Sequence, residues 1–374
     1  MSAAFVRVAS DPSSSARAGV IQTPHGPVET PAFAPVASQG AVKAVPHKDV
    51  EALGAELLLA NSYHLFLRPG VEAVRTLGGL HKFISWPKPI LTDSGGFQIY
   101  SMSPLAKVKW DGVSFASHLD GTKYFLTPED VVDIQAGLGS DICMALDYFV
   151  PYPAADDKVK DAVATTSRWA KRAREHFRTK DSRAQLWAIT QGGVTWERRR
   201  QSSEELVALD FDGYAVGGLG LGEPKTQLFE ILERSDGLLP KDKPRYLMGM
   251  GYIQDVLEAV ERGVDLFDCV LPTRNARNGM LFTSRGPLVI KNRKYAGDER
   301  PADEDCGCYT CRTFSRAYLR HLFERGEIGS AVLNSIHNLH FYLDNFRKIR
   351  QSIHLNSFKS LKESILNKLK DGLP

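Results

Sequence analysis

The chain has 374 residues and a formal net charge of +3, and hydrophobic residues make up 43% of it. This composition is ordinary for a globular protein and excludes a disordered or fibrous chain. No apolar run approaches the roughly 20 residues that a membrane span needs, and the first residues contain no apolar stretch typical of a secretory signal. We therefore expect a globular, cytoplasmic protein with no membrane partner.

Short apolar runs alternate with stretches of helical composition along most of the chain. There are eight such runs: 31–37, 57–61, 89–94, 141–147, 184–190, 213–218, 245–249 and 266–272. Alternating strands and helices predict a parallel sheet, and eight units predict a closed barrel. The predicted fold class is therefore α/β, a (β/α)8 TIM barrel, and a doubly wound open sheet is the alternative.

Three regions depart from this alternation. Residues 1–30 are typical of a short antiparallel cap, and residues 95–127 predict a hairpin insertion because Asp-Gly pairs mark tight turns. A long extension that contains three cysteines follows the eighth run. We therefore predict a barrel over 1–284, a cysteine-containing subdomain over 285–350 and a C-terminal helix over 351–374.

Carboxylates lie at or near the ends of several predicted strands. Asp93, Asp147 and Asp268 belong to the third, fourth and eighth runs, and the carboxyl ends of barrel strands form active sites. Each could be structural, with Asp93 capping a turn or Asp268 pairing with Arg274. Burying three carboxylates together is costly, however, which favours a function. Paired carboxylates suit glycosidic chemistry, in which one attacks or stabilises the sugar C1′ and another moves protons on the leaving group.

The same strand ends could admit a planar ring. Four positions lack a side chain, which allows close approach to the backbone: Gly192, Gly193, Gly217 and Gly218. Phe97 and Met248 offer an aromatic face and a soft apolar face for stacking. Gln191 and Asp147 offer the donors and acceptors that the edge of a purine needs.

Three of the five cysteines are clustered as Cys306-x-Cys308-x2-Cys311, and His337 follows 26 residues later. Three thiolates and one imidazole are typical of a closed, tetrahedral zinc site. His340 on the same predicted helix leaves the choice of the fourth ligand open. We predict one structural Zn2+ per chain, held by these cysteines and His337; three reduced cysteines packed in a loop are the alternative.

The charge is unevenly distributed. Residues 271–374 contain 18 Lys+Arg and 10 Asp+Glu, an excess of +8, which leaves −5 for the rest of the chain. A basic C-terminal third fits a polyanion that docks beside a separate chemical site. A solvated basic helix face explains the same excess equally well.

Seven motifs together resemble the bacterial tRNA-guanine transglycosylases, also called queuine tRNA-ribosyltransferases. The resemblance runs from about Gly19 to about Phe346, and its motifs are the cysteine cluster and residues 92–98, 151–154, 191–193, 215–219, 246–249 and 267–274. It implies a (β/α)8 barrel with a zinc-binding subdomain near the C-terminus. It also implies a tRNA partner, in which guanine at the wobble position of GUN anticodons is replaced by a 7-deazaguanine, preQ1, in queuosine biosynthesis.

The resemblance also implies roles at the matching positions. Asp268 would be the nucleophile that bonds covalently to ribose C1′, and Asp93, oriented by Asn61, would be the general acid/base. The rival carboxylate Asp265 lies at the polar start of the eighth run, away from its carboxyl end.

The remaining implied roles concern the base and the RNA. Residues that would bind the base are Asp147, Gln191, the Gly218 N–H, the Leu219 carbonyl backed by Glu223, and Phe97 and Met248 on the two ring faces. Arg274 and Arg277 would contact the uridines that flank the target nucleotide, which must be splayed out of its stack. Relatives form homodimers on the zinc-subdomain side, so we expect a homodimer with contacts at Phe314, Tyr318 and His321.

Two stretches depart from the common bacterial pattern. Tyr148-Phe149-Val150 stands where Glu-Cys-Thr is usual, and Gly220-Leu221 stands where Ala-Val is usual. Enzymes that use the bulkier queuine have glycine at the position of Leu221, so leucine favours preQ1, whereas Phe149 leaves queuine open. Two further alternatives are a barrel glycosidase and a non-catalytic RNA-binding subunit, although such subunits typically lack the nucleophile.

Overall fold

The computed structural model describes residues 4–103, 106–180 and 182–372. Its strands are β1 (Phe5–Ser10), β2 (Arg17–Thr23), β3 (Gly26–Thr30), β4 (Ala32–Pro35), β5 (Leu58–Ala60), β6 (Ile90–Thr92), β7 (Lys107–Lys109), β8 (Gly112–Ala116), β9 (Lys123–Leu126), β10 (Ile142–Met144), β11 (Gln185–Thr190), β12 (Gly213–Val216), β13 (Arg245–Leu247), β14 (Leu266–Cys269), β15 (Met280–Thr283) and β16 (Gly286–Val289). Its α-helices are α1 (His47–Ala52), α2 (Ser62–Leu67), α3 (Val71–Thr76), α4 (Gly79–Ile84), α5 (Gly96–Met102), α6 (Pro128–Leu138), α7 (Asp156–Phe177), α8 (Trp196–Val207), α9 (Lys225–Ser235), α10 (Ile253–Glu261), α11 (Leu271–Arg277), α12 (Tyr309–Thr313), α13 (Arg316–Glu324), α14 (Ile328–His354) and α15 (Phe358–Asp371).

Eight parallel strands form a closed barrel. Their hydrogen-bonded order is β4-β14-β13-β12-β11-β10-β6-β5. The Ala37 N–H donates to the Leu59 carbonyl at 2.7 Å, which joins the first barrel strand to the second and closes the sheet. Each strand lies within one of the eight predicted apolar runs, so the predicted (β/α)8 barrel is confirmed. The open-sheet alternative is wrong because an open sheet would leave these two strands unpaired.

Large apolar side chains fill the barrel interior. Trp187, Tyr246 and Leu266 are fully buried there. The antiparallel strands β1–β3 form the predicted cap, and Phe5 and Ile21 from this cap join the same buried cluster. The cap contacts the amino ends of the barrel strands, where the Gln185 amide donates to the Gln22 carbonyl at 2.6 Å and Arg17 pairs with Asp265, which leaves the carboxyl ends open for a binding site.

The insertion after α5 has one strand more than the single hairpin that the sequence predicted. Strands β7, β8 and β9 form a three-stranded antiparallel sheet. The first Asp-Gly pair, 111–112, lies where the turn after β7 enters β8, and the second, 120–121, lies between β8 and β9. Each turn signal thus marks its own hairpin, and the two hairpins share β8.

The long helix α14 packs against the barrel where the first and last barrel strands meet. The Phe346 ring lies 5.8 Å from the Phe33 ring on β4 and 5.4 Å from the Phe267 ring on β14, measured between centroids. The helix ends at His354, beyond the predicted subdomain boundary at residue 350. The three-part division of the chain stays a prediction. Among the described residues, no helix is both long enough and apolar enough to cross a membrane.

Candidate active site and metal centre

A cavity of about 460 Å3 opens at the carboxyl ends of the barrel strands. Most of the predicted site residues line it: Asn61, Asp93, Phe97, Asp147, Gly218, Leu219, Met248, Asp268 and Arg274. Gln191 contacts this lining, because its side-chain amide donates to Asp147 at 2.7 Å. Glu223 lies at the rim and Arg277 on α11, where its Nε donates to the Thr273 carbonyl at 3.1 Å. The fold therefore brings the three candidate carboxylates into one cavity.

Asp268 on β14 has its two carboxylate oxygens in different surroundings. Oδ1 accepts a hydrogen bond from the Tyr246 hydroxyl at 2.6 Å and another from the Gly249 N–H at 2.9 Å. Among the described residues, Oδ2 accepts none, so this oxygen is available to a substrate. Burial raises the pKa of Asp268 above its usual range, although both donors oppose this shift.

Asp93 follows β6 and is held on both oxygens. The Asn61 side-chain amide donates to Oδ2, and the Ser62 N–H donates to Oδ1 at 2.9 Å. Burial raises the pKa of Asp93 to about 6, and the nearby Asp268 carboxylate adds to this shift while the two donors oppose it. A carboxyl group with a pKa close to neutral can both donate and accept a proton at physiological pH.

Asp147 follows β10 and forms one polar edge with its neighbours. The Ser94 hydroxyl donates to Oδ1 at 3.1 Å, and the Gln191 amide donates to Oδ2 at 2.7 Å. Burial raises the pKa of Asp147 to about 6. Gly218 lies beside this edge at φ +65°, and a Cβ there would lie 2.6 Å from Gln191 Oε1, so a side chain at this position would displace Gln191.

The loop that presents Gln191 is fixed by two buried residues of α8. The guanidinium of Arg199 donates to the Thr190 carbonyl at 2.9 Å and to the Gly193 carbonyl at 2.8 Å. The Gln191 N–H donates to the Ser202 hydroxyl at 2.9 Å. Arg199 is fully buried, and this burial lowers its pKa to about 9.

Arg199 and Ser202 were not predicted from the sequence. The segment WERRRQSSEELV is typical of a polar helix with solvated side chains. One feature of the sequence could have indicated these two residues: their three-residue spacing places both side chains on the same face of the helix. The contact of Tyr246 with Asp268 was not predicted either, although residue 246 belongs to one of the seven motifs.

Aromatic rings form one side of the cavity. The Phe97 ring is 54% exposed and stacks on Phe149 with centroids 5.6 Å apart. The Phe149 and Tyr100 rings are nearly perpendicular, with centroids 5.3 Å apart. Leu221 also lines the cavity. Both stretches that depart from the usual pattern therefore border the space available to a base.

Glu223 closes a turn at the rim of the cavity. Its carboxylate accepts hydrogen bonds from the N–H groups of Gly220 and Leu221, the latter at 2.9 Å. The carboxylate thereby fixes the backbone conformation directly after Leu219. Asp265, the rival of Asp268, lies at the other end of β14, is fully buried and pairs with Arg17 at 2.6 Å, so it lies outside the cavity.

Three thiols and one imidazole near the C-terminus could hold a metal ion. His337 Nδ1 lies 3.7, 3.6 and 3.2 Å from the Sγ atoms of Cys306, Cys308 and Cys311. Tetrahedral zinc at its usual bond lengths separates a sulfur ligand from a nitrogen ligand by about 3.6 Å, so the four side chains fit this ion. The other ring nitrogen of His337 contacts the Phe282 carbonyl at 2.7 Å, which fixes the ring.

The second histidine on α14 is less suited to be the fourth ligand. His340 Nδ1 lies 3.5 Å from Cys306 Sγ, whereas the four ligand atoms that lie within 4.8 Å of one another belong to His337 and the three cysteines. The geometry therefore favours His337.

The sequence of the chain is similar to known proteins of one family. Residues 11–371 match the family model described as queuine tRNA-ribosyltransferase. The chain is 52% identical to the queuine tRNA-ribosyltransferase of Thermodesulfovibrio yellowstonii over 94% of this chain and 92% of that protein. It is 51% identical to that of Caldanaerobacter subterraneus subsp. tengcongensis over 96% and 95% of the two chains, and 53% identical to that of Oleidesulfovibrio alaskensis over 93% and 92%. The chain belongs to the queuine tRNA-ribosyltransferase family.

Proposed function

We propose that this protein is a tRNA-guanine transglycosylase that exchanges guanine at the wobble position of GUN anticodons for preQ1 in queuosine biosynthesis. Family membership supports the reaction class. The observation that carries the proposal is the pair of buried carboxylates in one cavity: Asp268, whose Oδ2 accepts no hydrogen bond from any described residue, and Asp93, whose pKa is about 6. This arrangement provides both a nucleophile and a proton carrier.

The exchange proceeds in two displacements at ribose C1′. Asp268 Oδ2 attacks C1′, the bond from C1′ to the guanine N9 breaks, and protonated Asp93 gives its proton to the leaving base. The incoming base then loses its N9 proton to Asp93 and attacks C1′, which releases the Asp268 carboxylate. The Tyr246 hydroxyl and the Gly249 N–H hold Oδ1, so that Oδ2 faces the sugar.

The base is selected by the polar edge and the two stacking faces. Asp147 accepts hydrogen bonds from the N1 and amino positions of the purine, and Gln191 and the Gly218 N–H donate to O6. The ring lies between Phe97 and Met248, both of which line the cavity.

The preference for preQ1 depends on the rim of the cavity. The Leu219 carbonyl receives the aminomethyl group, and Glu223 supports it by fixing the adjacent turn. Leu221 fills the space that queuine would need. Queuine remains the alternative substrate because Phe149, which lines the cavity and stacks on Phe97, departs from the usual residue at its position.

The RNA is bound at the mouth by Arg274 and Arg277 on α11, which contact the uridines on either side of the splayed nucleotide. One structural Zn2+, held by three cysteines and His337, joins α14 to the segment that contains the cysteines. We also propose a cytoplasmic homodimer that pairs on the zinc-subdomain side. There Tyr318 is 44% exposed and stacks on Phe314 at 5.2 Å, and His321 lies on the same helix.

The test is to incubate the zinc-loaded protein with unfractionated tRNA and labelled guanine, and then to count the label in the tRNA. We expect incorporation that preQ1 blocks, and loss of incorporation in Asp268→Asn and Asp93→Asn. Asp157→Asn, a carboxylate on the exposed start of α7, is the matched control and should be fully active. Release of guanine without incorporation would indicate a glycosidase. Binding of tRNA without either reaction would indicate a non-catalytic RNA-binding subunit.

A further inference from the structure

The insertion after β6 exposes a basic sheet face. Residues at directly paired positions of neighbouring strands point to the same side of a sheet, and the pairing of β7, β8 and β9 places three lysines and one aromatic ring on one side. We call this side the lysine face; it consists of Lys107, Lys109, Lys123 and Phe125.

The lysine face contains no carboxylate among its paired positions. The other residues on the same side are small: Gly112, Ser114 and Ala116. The three lysines are exposed, and the Phe125 ring is 44% exposed with Lys109 Nζ 5.5 Å from its centroid. The salt bridges among the described residues involve other lysines, such as Lys88 and Lys171. The positive charge of this face is therefore available to a partner.

The opposite side of the sheet packs on elements that carry site residues. The Phe115 ring lies 5.6 Å from Tyr63, and the Tyr124 ring lies 5.1 Å from Phe66, both on α2. Helix α2 follows Asn61 directly, and its Ser62 N–H binds Asp93. The insertion also follows α5, which begins with Gly96 and Phe97 at the cavity. The packing on α2 and the chain connection to α5 place the sheet beside the mouth of the cavity.

The lysine face and Arg274 stand on different sides of this mouth. The insertion follows β6, whereas Arg274 lies on α11 after β14, and two barrel strands separate β6 from β14 on one side and four on the other. A polynucleotide that places one nucleotide in the cavity has to continue across the rim in both directions. Phosphates on the side away from Arg274 would then meet the insertion.

We infer that the lysine face is a second tRNA-binding surface, in which Lys107, Lys109 and Lys123 bind phosphates and Phe125 stacks on an unpaired base. Lysines supply the salt-dependent affinity for a phosphate backbone, and an exposed aromatic ring between cations is typical of single-strand binding. The inference rests on the proposed function, which identifies tRNA as the molecule that this surface would bind. Lysines on the edge strands β7 and β9 would alternatively serve to prevent edge-to-edge association, and the experiment separates the two roles.

The test compares two triple variants that each lose three positive charges. The first is K107Q/K109Q/K123Q on the lysine face; the control is K160Q/K171Q/K241Q, three exposed lysines outside the insertion. The dissociation constant for unfractionated tRNA is measured between about 50 and about 200 mM salt, together with KM for tRNA and for guanine. Zinc content and circular dichroism establish that both variants are folded.

We expect the first variant to bind tRNA about 10-fold to 30-fold more weakly at low salt, and the slope of log affinity against log salt to decrease by about 2 to 3. KM for guanine and kcat should stay unchanged, and the control should remain within about 2-fold of the unmodified protein. Phe125→Leu, which keeps an apolar side chain but removes the ring, should weaken binding by about 5-fold or more.

Two outcomes separate the inference from the proposed function. Equal tRNA binding by the two triple variants overturns the lysine face, even if the unmodified protein exchanges guanine. Selective loss of tRNA binding in the first variant supports the lysine face, even if the unmodified protein incorporates no guanine, and the failure then lies with the proposed reaction.

Discussion

The Tyr246 hydroxyl offers a sharp test of how the proposed nucleophile, Asp268, is kept ionised. It donates to Asp268 Oδ1 at 2.6 Å, and the Tyr246 ring is fully buried in the barrel interior. Burial and the adjacent carboxylates raise the pKa of Tyr246 well above its usual range, so the hydroxyl keeps its proton and stays a donor. Tyr246→Phe removes this one donor and preserves the packing of the ring.

The size of the effect follows from the charge of the acceptor. A hydrogen bond to a charged group contributes about 1.5 to 3 kcal/mol, and one pKa unit corresponds to about 1.4 kcal/mol. The pKa of Asp268, already raised by burial, should therefore rise by about a further 1 to 2 units. The carboxylate would then be protonated over part of the pH range in which the unmodified protein is active.

The assay is kcat/KM for guanine exchange as a function of pH, which reports groups of the free enzyme. The charge of Asp268 raises the pKa of Asp93, so the two carboxyl groups titrate together. The apparent pKa of the acidic limb of the profile therefore describes the pair and not either group alone. We expect Tyr246→Phe to move this limb to higher pH by about one unit or more, with the largest loss of activity at low pH and partial recovery at high pH.

Tyr214→Phe is the matched control. Tyr214 is a buried tyrosine on β12, adjacent to β13, and its hydroxyl accepts a hydrogen bond from the Phe211 N–H at 3.2 Å instead of donating to a carboxylate. This variant should lose some stability but keep the acidic limb in place. An unmoved limb in Tyr246→Phe would refute the argument that its hydroxyl keeps Asp268 ionised.

Three further predictions concern the base, the loop and the metal. The pKa of Asp147 is raised from 3.8 to about 6, so its ionisation destabilises the folded state as the pH rises through this interval. Asp147→Asn should therefore increase the free energy of unfolding by up to about 3 kcal/mol at neutral pH. In denaturant titrations below pH 4, the variant should be no more stable than the unmodified protein. Arg199→Lys loses the paired carbonyl contacts that fix the Gln191 loop, so KM for guanine should rise about 10-fold with a smaller change in kcat. Cys308→Ser should abolish metal binding in elemental analysis and lower Tm, because a metal that binds only the folded state stabilises it.

The barrel was predictable because its strands are buried on both faces. Such strands appear as continuous apolar runs, and each of the eight runs contains one barrel strand. The cysteine spacing was equally informative, because three thiols within six residues leave few alternatives to a metal. The carboxylates Asp93, Asp147 and Asp268 were found because each is a charged residue within one of these apolar runs.

The partners of these residues were not predictable, because they depend on contacts between distant elements. Arg17 and Asp265 pair across 248 residues of sequence. The contact of Tyr246 with Asp268 depends on the register between β13 and β14, in which Tyr246 is paired with Leu266. Arg199 is charged and lies on a polar helix, so no burial scale would place it in the interior.

The packing of α14 has a consequence for how the protein is made. This helix covers the junction of β4 and β14 with Phe346, and it carries His337 of the candidate metal centre. It is synthesised after every barrel strand, so the junction stays uncovered on the ribosome until residues 328–354 have emerged. Completion of the barrel, with Asp268 next to the covered Phe267, is thereby tied to a late event in translation and to the helix that carries His337 of the candidate metal centre.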